Sequence, residues 1–351
     1  MDNIWDIYTA KSEYDPYYLD QYGRVPSLNA PFDVMEPVVS KYLYQQGFKP
    51  SYPNNKEFAV CISHDVDWVF NQVHSFKHFA KNSFIQSLKL NFKEIKKYSK
   101  ELKKYIPENY NLNTTLSFNK KYDFRSSFYF LALNENDEDY RYDIFDIKDQ
   151  FNAVFNNECE IGLHGGHTAY FDSDKLKIEK NKLEEASTKQ IVGYRNHYLK
   201  FDIRKTWKNL EKNNFSYDTT YGFANMVGFR NGMCHPFIPF DLPNNCFHTI
   251  KEIPLIAMDM TLFKYLFYLN NENSIKLISK LVRTIKKYGG VFTLLWHNNN
   301  MLGEKGALYE QIICLLKEEN GWFASGNELI DWYEKSNYFM EMDAILKKVK
   351  K

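Results

Sequence analysis

The sequence predicts an α/β fold, a parallel sheet with covering helices that is either open or closed into a barrel. Two observations predict it. From Glu57 onward, short apolar runs bounded by turn residues alternate with stretches of helical periodicity, the pattern of repeated strand-helix units. Charged and imidazole side chains also gather where those runs end, as they do at the carboxyl face of parallel sheets.

The elements follow in order. Residues 1–55 are rich in Tyr, Asp and Pro, and only Val34 to Gln46 suggests a helix, ended by Gly47. This part reads as an arm or small subdomain. Two prolines and two asparagines in Lys49 to Asn55 mark its boundary. Phe58-Ala59-Val60-Cys61-Ile62-Ser63 is then a buried parallel strand. Further strands are expected at Ser126 to Leu131, Glu160 to Leu163, Gln190 to Tyr194, Lys251 to Leu255 and Gly290 to Trp296. Helices are expected at Phe145 to Phe155, Lys175 to Thr188, Ile203 to Lys212, Ser274 to Tyr288 and Leu308 to Glu318. The lysine-rich stretch at about 69–122 breaks the alternation and reads as a helical insertion, placed to build a wall of the site. The main domain is thus 56–340, and 341–351 is a basic tail.

Composition narrows the function classes. The chain of 351 residues carries 45 basic and 44 acidic side chains, net +1, so no global field draws nucleic acid or an anionic membrane. Lysines between Lys77 and Lys104 recur as on a solvated helix face. The five cysteines are scattered and form no CxxC pair, which argues against a disulfide framework or a zinc knuckle. Aromatic content is high at 17%, through 26 Tyr and 28 Phe, and is read first as core filling. No run approaches the roughly 18 apolar residues of a membrane span, and the start lacks a signal-peptide pattern. The expected location is cytoplasmic.

Polar residues close the strands in turn: Asp65 and Asp67, then His164 and His167, Arg195, Asp259, and His297. Singly, each has a plain structural reading. Asp pairs cap helices, an arginine can serve a structural ion pair, and a histidine can be a satisfied core residue. Jointly, carboxylates and imidazoles on one face suit a divalent metal, zinc foremost. Asp65 and Asp67 are two apart, so in an extended segment both point to one side.

This order of motifs resembles that of the polysaccharide deacetylase, or NodB-homology, carbohydrate esterases, over roughly Phe58 to Trp332. Ser63-His64-Asp65-Val66-Asp67 resembles the first motif, Glu160 to His167 the second, Gly193-Tyr194-Arg195 the third and Leu294-Leu295-Trp296-His297 the last. The resemblance implies a distorted (β/α)7-type barrel. It also implies Asp65 as general base, Asp67, His164 and His167 as metal ligands, and Arg195 as the partner orienting Asp65. His297 would be the acid, polarised by Asp259 in preference to Asp218. The histidines of the second motif stand three apart rather than the family's four, with Thr168 in the usual slot. Asp20 to Pro26 and Gly228 to Gly232 further resemble a bacterial subgroup associated with surface polysaccharides. Arg230 there, and Trp296 beside the last histidine, are candidate substrate contacts. The implied partner is an acetylated glycan or sugar precursor. A catalytically silent glycan-binding protein, or a hydrolase of a non-sugar amide, would use the same cleft.

Overall fold

The computed structural model describes residues 3–15, 17, 19, 20, 24–69, 112–266 and 269–350. The strands are β1 (Ala59–Val66), β2 (Ser127–Leu131), β3 (Glu160–Gly165), β4 (Gly193–Asn196), β5 (Tyr217–Asp218), β6 (Phe240–Asp241), β7 (Cys246–Phe247), β8 (Lys251–Glu252), β9 (Ala257–Met258), β10 (Val291–Leu295) and β11 (Trp322–Phe323). Nine of them make one sheet in the order β8-β5-β4-β3-β2-β1-β10-β9, with β11 beside β1. Every pairing within it is parallel. The sheet is curled into a half-barrel with helices around it, in agreement with the distorted barrel expected above. β6 and β7 form a separate antiparallel pair.

Strand alternation divides the core. Ala59 and Cys61 belong to one apolar cluster. Phe58, Val60 and Ile62 belong to another, with residues of the helices Asn271–Tyr288 and Gly303–Glu318. A strand shows its two faces alternately, so Ser63 and Asp65 share the side of Cys61. The interior on that side is partly polar: Tyr129 and Tyr217 pair their hydroxyls at 2.9 Å, and Tyr217 donates to Glu160 at 2.7 Å. Many tyrosines and phenylalanines are among the largest fully buried side chains, which supports the core reading of the aromatic content.

Both termini pack on the main body. Trp5, Tyr8, Val39, Leu43, Phe48 and Tyr52 of the arm share the apolar cluster of the sheet. The segment expected as a basic tail is largely the helix Tyr338–Leu346, whose Phe339, Met342, Ile345 and Leu346 are buried. Spacing of three and four between those residues makes an apolar helix face. Of the expected insertion, only its last part is described, including the helix Asn113–Lys121. The Lys77 to Lys104 cluster lies outside the described residues, as do Gln21, Tyr22 and Gly23. Among the described residues, no helix is long and apolar enough to cross a membrane.

Candidate active site

The carboxyl ends of β1, β4, β9 and β10 meet at one cavity of about 380 Å³, lined by Asp65, Asp67, His197 and His297 among others. Register places the donors. His164 on β3 pairs with Arg195 on β4, and Asp65 on β1 pairs with Tyr129 on β2. Gly162 keeps β3 close to that tyrosine, since a Cβ there would lie 2.5 Å from the Tyr129 ring.

One group of donors comprises Asp67, His164 and His197, whose ligand atoms lie within 4.8 Å of one another. His164 Nε2 is 3.4 Å from Asp67 Oδ1, and His197 Nδ1 is 3.7 Å from the same oxygen. The far side of each ring decides what the near nitrogen offers. His164 Nδ1 faces the carbonyl of Arg195 at 3.0 Å, and a carbonyl only accepts, so Nδ1 carries the proton. His197 Nε2 faces the Asp139 carboxylate at 3.3 Å and likewise carries its proton. In their neutral forms the two near nitrogens therefore turn lone pair to lone pair, 3.0 Å apart. Beside a carboxylate oxygen that makes no hydrogen bond among the described residues, a cation between them would satisfy all three atoms. Two imidazoles and a carboxylate are a zinc-type donor set, so the residues fit a divalent metal.

Charges follow the same geometry. Burial pushes Asp67 up, but His197, His164 and His297 together hold it below the usual carboxylate range. His164 is raised, because Asp65 and then Asp67 outweigh its burial. His197 is lowered, burial outweighing Asp67 and Asp139.

On the opposite wall, His297 Nδ1 meets Asp259 at 2.7 Å, and its Nε2 points toward Asp67 at 3.8 Å. Asp259 is completely buried. It also accepts from the His297 and Met260 backbones and from Asn300. Burial alone would lower His297, but Asp259, then Asp67 and Asp65, lift it to about 10. Asp218, the lesser candidate, instead accepts from the backbone and hydroxyl of Thr220. Between the two walls sits Asp65, 3.6 Å from Arg195 Nη1 and 3.6 Å from His164 Nε2. Arg195 is fully buried, lies over the Tyr129 ring and donates only to Thr219 among the described residues.

Three expectations are corrected by position. His167 does not join Asp67; its Nε2 meets Asp139 at 2.7 Å, and His197 stands third beside Asp67 and His164. A three-residue step past His164 leaves the strand and carries His167 onto the following turn, outward of the cavity. Arg230 does not face the cavity; both ends of its fork are taken by Glu13 at 2.8 and 2.7 Å. Trp296 is fully buried, and its indole donates to the carbonyl of Asn300. Sequence reasoning missed His197 and Asp139. His197 stands two residues after Arg195, the same spacing that singled out Asp65 and Asp67, and that signal could have found it. Asp139 lies in a loop with no local pattern.

No family model matches the sequence, and no curated protein matches it. Among solved structures the chain is similar to a provisionally named polysaccharide deacetylase from Mycobacterium smegmatis. The identity is 16%, the TM-score 0.56, and the match covers 82% of this chain and 94% of that one. It is also similar to a family 4 carbohydrate esterase from Streptomyces lividans in complex with acetate, at 8% identity and a TM-score of 0.42, over 77% and 93% of the chains. A CE4 family pseudoenzyme from Bacillus anthracis is similar at 13% identity and a TM-score of 0.42, over 81% and 69%. The first of these likenesses shows a shared fold, that of a polysaccharide deacetylase.

Proposed function

We propose that the protein is a metal-dependent deacetylase that hydrolyses an acetyl group, N-linked, from a sugar of a glycan or glycan precursor. The observation that carries the reading is one cavity lined by Asp65, Asp67, His197 and a carboxylate-backed His297, with buried His164 and Arg195 beside those two aspartates. Asp67, His164 and His197 would hold a divalent ion, zinc by its ligand types, which when bound supplies Lewis acidity toward a carbonyl and acidifies water.

The chain's own residues do the rest. Asp65 accepts the proton of the attacking water, with the Arg195 guanidinium 3.6 Å away as its counter-charge. His297 donates from Nε2 to the departing nitrogen, because Asp259 holds the proton on Nδ1 and stabilises the imidazolium. Met258 and Leu295 give the cavity an apolar floor near the acetyl methyl, and Tyr198 and Tyr265 offer rings to a sugar face.

The test is acetate release from a panel of acetylated sugars, nucleotide-linked precursors and polymers, with and without chelator. Release that chelator suppresses and zinc restores is expected. Release indifferent to chelator, or no release from any acetylated carbohydrate by metal-loaded protein, would sink the reading.

A further inference from the structure

Behind the donor set stands a second cluster, Asp139, His167 and His197. We infer that Asp139 is a positioning residue for the metal site: it fixes His197 in the Nε2–H tautomer, so that Nδ1 faces Asp67 and His164. This inference rests on the reading of that site as a metal centre.

The atoms argue for a carboxylate that orients a ligand rather than one that binds a cation of its own. Asp139 Oδ2 accepts from His167 Nε2 at 2.7 Å, Tyr198 OH at 3.1 Å and His197 Nε2 at 3.3 Å, while Oδ1 accepts from Arg141 at 2.6 Å. Four donors on one carboxylate leave little lone-pair capacity for a metal. Two further cations are close by: Arg141 itself, and Lys200, whose Nζ is 2.9 Å from His167 Nδ1. Both would repel a second metal ion. Glu138 lies 3.2 Å from the same His167 nitrogen but is largely exposed. Lys200 donating to Nδ1 leaves the His167 proton on Nε2, aimed at Asp139. The network is therefore complete without a metal ion, in contrast to the contact of His164 and His197.

The backbone is shaped for this arrangement. Asp139, Tyr198 and Leu199 all adopt positive φ, at 64°, 58° and 51°, in a region that residues with side chains seldom occupy. Their conformations bring the β2 loop and the β4 loop together at His197. A carboxylate behind a metal-binding imidazole raises its basicity and fixes its ring, and losing such a partner typically costs about 10–100-fold in metal affinity.

The experiment compares full-length wild type with Asp139→Ala, Asp139→Asn and His167→Ala, using zinc or cobalt alone. Metal content is counted, affinity is measured by chelator competition, and histidine tautomers of metal-free protein are read by nitrogen-15 NMR. Wild type should bind one equivalent and show His197 protonated at Nε2. Asp139→Ala should bind about 10–100-fold more weakly and lose the pure Nε2–H signature. Asp139→Asn, which keeps an acceptor without charge, should fall between. His167→Ala should still bind one equivalent.

Wild-type affinity and tautomer in Asp139→Ala would overturn the inference while leaving the functional reading intact. Two equivalents in wild type, one lost in His167→Ala, would overturn it in favour of a second cation site. Absence of metal binding by wild type would instead fail the functional reading, and with it the metal-positioning role.

Discussion

Two arginines are buried against carboxylates, and they are built to opposite specifications. Arg230 meets Glu13 in a bidentate fork at 2.7 and 2.8 Å, donates its remaining nitrogen to the carbonyl of Gly222 and lies over the Tyr221 ring. Nothing in that pair is left unsatisfied. Arg195 stands 3.6 Å from Asp65, and its Nε and Nη1, with Asp65 Oδ1, make no hydrogen bond among the described residues. A closed pair joins the arm to the barrel. In the slack one Asp65 lines the cavity while the arginine N–H groups stay unmet, which leaves capacity for a further partner. The contrast teaches that burial and charge do not distinguish the two arginines; unmet hydrogen-bonding capacity does.

The largest expected effect strikes the slack pair. Asp65→Asn removes the proposed base but little packing, so turnover should fall about 10³-fold while the melting temperature stays within a few degrees. A variant with near wild-type kcat would show that the pair is structural after all. Glu13→Ala should do the reverse. It strands the Arg230 charge in the interior and should cost about 3–5 kcal/mol in denaturant unfolding, whereas Glu13→Leu with Arg230→Met should recover most of that loss. Asp259→Asn tests a third carboxylate, which backs His297 rather than an arginine. Loss of its charge should lower kcat about 10²-fold, with metal content unchanged by elemental analysis.

The smallest effect concerns a carboxyl with no arginine. Glu179 accepts from the Gly166 backbone at 2.8 Å, yet burial lifts it to about 7 despite that bond. The folded protein thus holds a proton that the unfolded chain releases near 4.5. Its contribution to stability is present at acid pH and is lost as pH rises from about 4.5 through about 7. Glu179→Gln should therefore be about 1–2 kcal/mol more stable than wild type at pH 8 and no more stable at pH 4. Urea melts at the two pH values check the sign.

Much of this was legible in the sequence, for physical reasons. β1 and β10 are apolar runs, and their ends carry Asp65, Asp67 and His297 to the cavity as period-two geometry requires. β5, β9 and β11 span two residues each, too few for any periodicity to register. Arg230 could not be assigned from its glycine-bearing surroundings, because its partner Glu13 is distant in the chain. His197 did carry a signal, its spacing of two after Arg195, but a donor set is closed in space, so only the fold shows that this loop supplies the third atom.

The arm carries a consequence of its own. Glu13 anchors it, and Arg24 reaches across to the carbonyl of Tyr198 while lining the cavity. The barrel is thus not a portable module. Engineering that grafts, swaps or trims the chain ahead of Phe58 removes a brace on the very loop that presents His197, and a disturbed donor set in such a chimera would originate outside the barrel.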